Sequence, residues 1–461
     1  MGGIPTKRGP TSRARLRQVV VVSVVCLALY CFLLVPDHSL DSSRTVPETF
    51  PYAPRKPPRP REHPPELLDN RFLAAPQCAA AFPGLTREVD DAVARGPFAL
   101  PRNARAGLGP LVARVRGGRL SILSYARRVD LGRDMLQHRS ASLHQIAAAL
   151  LTAPPGEPVP DTVFALNHED DPHSPSLSYA RPADPALNGG ARRFFAIPHF
   201  GFWAWPIAPV GSFRRAALAI RTLESQLSWA AKTPKAVWRG TAWFNAARAA
   251  RLRQDLVATA RGRPWADVEA LHGNRSNALA IEDFCRYRYV VHTEGVTYSG
   301  RFQYHQLCAS VVLTPPLAWM QHLTHLVKPA FSYALDGVTR TPPGTAPSRD
   351  MVPYPAPWVK EAWPTAYDPR KDANIVFVAP DWSDLEATVE WLERHPKVAE
   401  GIARRQRELF DGGGYFSPAA EMCYWRAVIR GWSQVVITDG QGFEDLEEIP
   451  WEEFSLKEIH K

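Results

Sequence analysis

Short apolar runs that end in polar turns recur along this chain and alternate with stretches of helical spacing, and that alternation limits the fold more than any other feature. RLSILSY at 119–125, TVFALN at 162–167, RRFFAIP at 192–198, KAVWRG at 235–240, YRYVVHTEG at 287–295, SVVLTPP at 310–316 and NIVFVAP at 374–380 read as strands. Helices are expected at 141–152, from Ser212 (as N-cap) to Ala231, and from Phe244 to Arg261. Three more are expected from Ser383 to Arg394, at 397–410 and at 417–436, with Ser383 and Glu386 forming a capping box. Strand–helix alternation of this kind predicts an α/β chain with parallel sheets, and 461 residues suffice for two such lobes. Open parallel sheets bind ligands beyond the carboxyl ends of their strands. Chemistry is therefore expected just after TVFALN, KAVWRG and YRYVVHTEG.

Ahead of this pattern lies a different kind of chain. Lys7, Arg8, Arg13, Arg15 and Arg17 precede an apolar run from Val19 to Val35 that Pro36 ends. The run is just long enough to cross a thin bilayer, and the basic side should stay cytoplasmic. No small-residue cleavage site follows, which favours an uncleaved anchor over a signal peptide. Residues 36–70 are proline-rich and poor in aliphatics, as an extended stem would be. The expected division is a tail at 1–18, a single transmembrane helix at 19–35, a stem at 36–70, lobes at 71–232 and 233–436, and a C-terminal tail at 437–461. The expected location is the Golgi or endoplasmic reticulum membrane, single-pass type II, with the folded part in the lumen. The net charge of +9 owes five units to the N-terminal cluster, so no broad basic face remains for nucleic acid. Cys78, Cys285, Cys308 and Cys423 lie outside the apolar run without metal-type spacing; they can form two disulfides whose pairing spacing does not reveal.

Three segments that follow strands can carry chemistry. Asn167-His168-Glu169-Asp170-Asp171-Pro172 offers a general base, a carboxylate set for a divalent ion, or an ordinary surface turn. Trp238-Arg239-Gly240-Thr241 offers a guanidinium fork for phosphate, a glycine for close approach and a helix-capping threonine; an ordinary strand–turn–helix junction reads the same way. Glu294-Gly295-Val296-Thr297-Tyr298-Ser299-Gly300-Arg301 offers an acid for ribose hydroxyls and an arginine for pyrophosphate. HFGFWAWP at 199–206 supplies His199, Trp203 and Trp205, which form either an aromatic sugar platform or core; Trp382 and Trp391 read as core.

WRGT, CRYRYVVHTEGVTYSGRFQYHQLCASVVL and DWSDLEATVEWLERHPKVAEGIARRQRELF, in that order across about 160–430, resemble glycosyltransferase family 90. That family contains the capsule-associated xylosyltransferases and the protein O-glucosyltransferases, and the likeness is to a fungal-type member. The resemblance implies a GT-B-like fold, two Rossmann-like lobes with a cleft between them, and inverting transfer of xylose or glucose from a UDP-sugar. It implies that Asp170 is the catalytic base, through the pattern Asn167, Asp170, Pro172. It implies donor binding by Arg239, Gly240, Thr241, Arg248, Glu294, Gly295, Ser299 and Arg301. Glu294 departs from the aspartate usual there.

On this reading Asp170 takes the proton of an acceptor hydroxyl on a glycan or glycoprotein, and arginines stabilise the departing UDP. No obligatory metal is expected, and the UDP-sugar is a substrate. A metal-dependent transferase using Glu169, Asp170 and Asp171, and an inactive membrane-tethered glycan-binding protein, are the alternatives.

Overall fold

A computed structural model describes residues 63–102, 110–170, 172, 174–184, 193–244, 250–340, 354–364 and 367–460. The expected tail, membrane anchor and most of the stem lie outside the described residues, as do Asp171 and Arg248. No helix among the described residues is long and apolar enough to cross a membrane. Both sheets described below belong to a single unit that begins at Pro57.

The principal elements of the first half are α1 (Ala75–Ala81), α2 (Arg87–Ala94), β1 (Leu111–Arg116), β2 (Arg119–Ser124), α3 (Arg133–Leu151), β3 (Thr162–Leu166), β4 (Ser176–Ser178), β5 (Phe194–Ala196) and α4 (Phe213–Gln226). Gly117 and Gly118 turn β1 into β2 with φ of 54° and 74°, the doubly left-handed turn that suits a two-residue hairpin. β1 pairs antiparallel with β2 and β3, whereas β3–β4 and β4–β5 are parallel. This corrects the expectation of two alike, Rossmann-like lobes: the first sheet is mixed, and parallel only on the side that carries the Asp170 loop. β1 itself falls outside the expected strands, its apolar run being broken by Arg114 and Arg116. α4 starts as expected, with Ser212 Oγ accepting from the Arg215 amide at 3.3 Å.

The second half contributes β6 (Thr233–Gly240), α5 (Leu252–Ala260), β7 (Ala266–Ala270), β8 (Tyr287–Val291), α6 (Phe302–His305), β9 (Val311–Thr314), β10 (Pro329–Phe331), β11 (Ile375–Phe377), α7 (Leu385–Arg394) and α8 (Pro396–Arg407). Its sheet has the order β7-β6-β8-β9-β11-β10 and is parallel throughout. After β6 the chain steps to one side to build β7, then crosses back to the other side for β8. The carboxyl ends of β6 and β8 therefore flank a topological switch point, where such sheets hold their ligands. Two helix starts differ from expectation. α5 begins at Leu252, so Thr241 does not cap it. Ser383 does not cap α7; its hydroxyl bonds Asp381 at 2.6 Å and the helix starts after Asp384.

The last segment returns to the first sheet. α9 (Pro418–Val435) packs on α2, α3 and β3, with Trp432 Nε1 donating to Val163 O at 2.8 Å and Trp425 Nε1 to Gln145 Oε1 at 3.0 Å. A Cys78–Cys423 disulfide fastens α9 to α1. β12 (Ile449–Pro450) then extends the first sheet beside β2, and α10 (Trp451–His460) follows. Residues after α9 thus pack back on the first sheet, where Arg114, buried in β1, also pairs with Glu448. Trp238, Trp382, Trp391, Trp425 and Trp432 are all core residues.

Candidate active site

The acid comes from the first sheet. β3 runs out into Asn167, whose amide donates to Leu177 O at 2.9 Å and whose Nδ2 donates to Glu169 O at 2.8 Å. These bonds curl the loop and leave Asp170 exposed at its tip. The surrounding protein still desolvates its carboxyl and raises its pKa, and the charge of Glu169 raises it further. Tyr179 and Tyr298 border this acid, and their hydroxyls are pushed up by burial first, with the Asp170 charge also contributing.

The cations come from the second sheet. Arg253 of α5 is 5% exposed, donating from Nε to Glu294 O at 3.0 Å and from Nη1 to Thr241 O at 3.1 Å. Arg301, just ahead of α6, donates from Nη1 to the carbonyl of Arg239. Burial lowers Arg253 to about 10; burial and then the charge of Arg253 lower Arg301 to about 9. Both stay protonated at neutral pH. Among the described residues neither has a carboxylate within ion-pair distance, so two positive charges face one another without compensation. Burial, then the charge of Arg301, holds His292 and His305 far below the usual imidazole range, which keeps the local charge on the two guanidiniums.

The two sides touch. Thr297, in the loop after β8, donates its hydroxyl to Asp170 O at 2.8 Å. The loop of the acid is thus pinned to the loop that carries Arg301 and, through Glu294 O, receives a bond from Arg253, a geometry that can hold an anion on one side and deprotonate a hydroxyl on the other.

The remaining expected donor residues lie on the same two strand ends, in different roles. Arg239 is committed internally: Nη2 to Asp267 Oδ1 at 2.6 Å, Nη1 to Asp267 O at 2.7 Å and Nε to Asn277 O at 3.1 Å. It braces β6 to β7 and presents its carbonyl to Arg301. At Gly240 a Cβ would lie 2.6 Å from the Trp238 ring, so only glycine fits. Glu294 is committed internally, accepting from the amides of Ala318 and Trp319 at 3.1 and 2.9 Å; burial pushes its carboxyl up to about 8 against those two bonds. Gly295 donates its amide to Thr297 O at 3.0 Å, and the Ser299 carbonyl accepts from Phe302. Arg253 was not among the expected residues, and Arg248, which was, lies outside the described ones.

One set of metal-capable atoms occurs among the described residues, Glu224 with Cys285 and Cys308. Those sulfurs form a disulfide, and Glu224 is paired with Lys232 at 2.7 Å, so the set is structural.

Residues 115–334 match the sequence model of the family described as Glycosyl transferase family 90. Protein O-glucosyltransferase 1 of Homo sapiens is 24% identical over 312 residues, 62% of this chain and 67% of that protein. The O-glucosyltransferase rumi homolog of Anopheles gambiae is 22% identical over 256 residues, 52% of each chain. The match thus spans about half the length of the mosquito relative.

Proposed function

We propose that this chain, whose residues 115–334 belong to glycosyl transferase family 90, moves xylose or glucose from a UDP-sugar to a hydroxyl of a glycan or glycoprotein, with inversion. The observation that carries the reading is the pair Arg253 and Arg301, charged and uncompensated, at the switch-point crevice. A nucleoside diphosphate supplies the missing anion there. The first sheet and the parallel second sheet act as the two lobes of a GT-B-like arrangement, with donor and acceptor meeting between the loops after β3 and β8.

Asp170 accepts the proton of the acceptor hydroxyl as that oxygen attacks the anomeric carbon. The bond from that carbon to the phosphate oxygen breaks, and its electron pair leaves with UDP. Arg253 and Arg301 take up the growing negative charge, already oriented by Glu294 O, Thr241 O and Arg239 O. A raised pKa suits a base that must receive a proton in the transition state. The arginines do the neutralising here, so turnover persists in excess chelator. The Cys78–Cys423 and Cys285–Cys308 disulfides support a site of action in the oxidising secretory pathway. The run at 19–35 would anchor the chain there.

The test is Asp170→Asn, with transfer and slow hydrolysis followed by mass spectrometry on UDP-xylose, UDP-glucose and UDP-galactose. Turnover should vanish while UDP binding by calorimetry stays within about twofold. Undiminished transfer by the variant removes Asp170 as the base, and failure of the wild type to bind UDP removes the reading altogether.

A further inference from the structure

We propose that His199 is a third substrate-binding group, a neutral imidazole whose Nε2–H donates a hydrogen bond to a hydroxyl of the transferred sugar; this rests on the reading above. His199 opens the short 3-10 turn Phe200–Phe202, and its Nδ1 accepts the Gly201 amide at 2.9 Å. With Nδ1 an acceptor, the ring hydrogen of the neutral form sits on Nε2. No residue among those described accepts from Nε2.

The ring touches residues next to the base and a residue next to one of the cations. It lies 5.4 Å from the Tyr179 ring and 5.5 Å from the Tyr298 ring, the two tyrosines that border Asp170. It also lies against Gly300, which directly precedes Arg301. A Cβ at that glycine would lie 2.4 Å from Cε1, 2.5 Å from Nε2 and 3.2 Å from Cδ2, so bare backbone rests against this part of the ring. A sugar joined to a diphosphate on Arg253 and Arg301, with its anomeric carbon before Asp170, must span that interval. Phe200 at 3.8 Å and Trp205 at 5.5 Å fix the ring plane. Burial, and then the charges of His138 and His322, keep the ring neutral, so His199 offers a hydrogen bond without competing with Asp170 for the acceptor's proton.

UDP lacks the sugar, which separates this role from a phosphate-binding or structural one. In His199→Phe a ring stays, while the Nε2 donor and the Nδ1 acceptor of the Gly201 amide both go. UDP affinity should hold, while kcat/KM for UDP-xylose or UDP-glucose falls roughly tenfold or more, the worth of one hydrogen bond left unmade in a buried site. His199→Gln, whose amide reaches the Nε2 position, should recover part of the loss. His199→Asn, which reaches only Nδ1, should not. Unchanged kcat/KM in His199→Phe, UDP affinity falling in step with it, or equal losses in the glutamine and asparagine variants each overturn the inference. The last comparison decides the matter should the phenylalanine variant not fold. Wild-type protein that binds no UDP overturns the reading and this inference together.

Discussion

The loops that leave β3 and β8 bring Asp170 and Glu294 close after their strands, and the structure treats these two acids oppositely. Asp170 stands exposed at its loop tip, and no donor among the described residues bonds its carboxylate. Glu294 is 7% exposed, with both oxygens taken by backbone amides of the segment after β9. The difference lies in what each loop must do. The first has to leave a carboxylate unsatisfied, so that an incoming hydroxyl becomes its partner. The second has to hold two arginines in place away from carboxylates, so its acid is buried and spent on fixing the loop. An ionised Glu294 beside Arg253 and Arg301 would cancel the charge that the crevice presents to a diphosphate.

The strongest way to break that contrast is to remove the cations. Arg301→Ala and Arg253→Ala should each lower kcat/KM by about 10²–10³-fold, the usual cost of one pre-oriented group that stabilises developing charge. Both should weaken UDP binding, in contrast to the Asp170 variant. Arg301→Lys should recover little, because the fork that reaches the Arg239 carbonyl is lost. Steady-state kinetics beside UDP calorimetry checks this, and wild-type values in either alanine variant would place the diphosphate elsewhere.

A second, smaller effect concerns Glu294 as a brace. Glu294→Gln sets an amide NH₂ against a backbone N–H and should cost about 1–3 kcal/mol of stability, read from urea midpoints. The cost depends on pH. A carboxyl raised to about 8 in the folded state from an ordinary 4.5 stabilises fully below the lower value, and that contribution is lost as pH rises through the upper one. The gap between wild type and variant should therefore be wider at pH 5 than at pH 8. A gap that widens with pH would show an ionised Glu294, and the contrast between the two loops would fail.

How much of this the sequence carries depends on the range of the contacts involved. Asp170 and Arg301 are legible because strand ends and their turn residues are local features. Arg253 is not: residues 244–261 carry several arginines, and which of them faces inward depends on a helix that starts only at Leu252. The internal use of Arg239 needs Asp267 and Asn277, and spacing does not reveal that β7 pairs on that side of β6. The Gly117-Gly118 turn is a local hairpin signal, yet its first strand is hidden by Arg114, whose partner Glu448 lies at the far end of the chain. The return of α9 to the first sheet joins Cys78 to Cys423 across a separation of 345 residues, and no pattern in either segment announces it.

The smallest expected effect is also the most direct probe of the exposed acid. Glu169 lies beside Asp170 and its charge adds to the desolvation that raises the Asp170 pKa. Glu169→Gln removes the charge and leaves the backbone acceptor used by Asn167 Nδ2 in place. The Asp170 pKa should then drop, so its basic form persists to lower pH. The acid limb of the kcat/KM profile should move to lower pH, with the plateau near neutrality changed less than about threefold, since that limb reports the free enzyme's base. Desolvation stays and is the larger cause, so the limb should not return fully to that of an ordinary aspartate. An acid limb that does not move would show that Asp170 is not the titrating base.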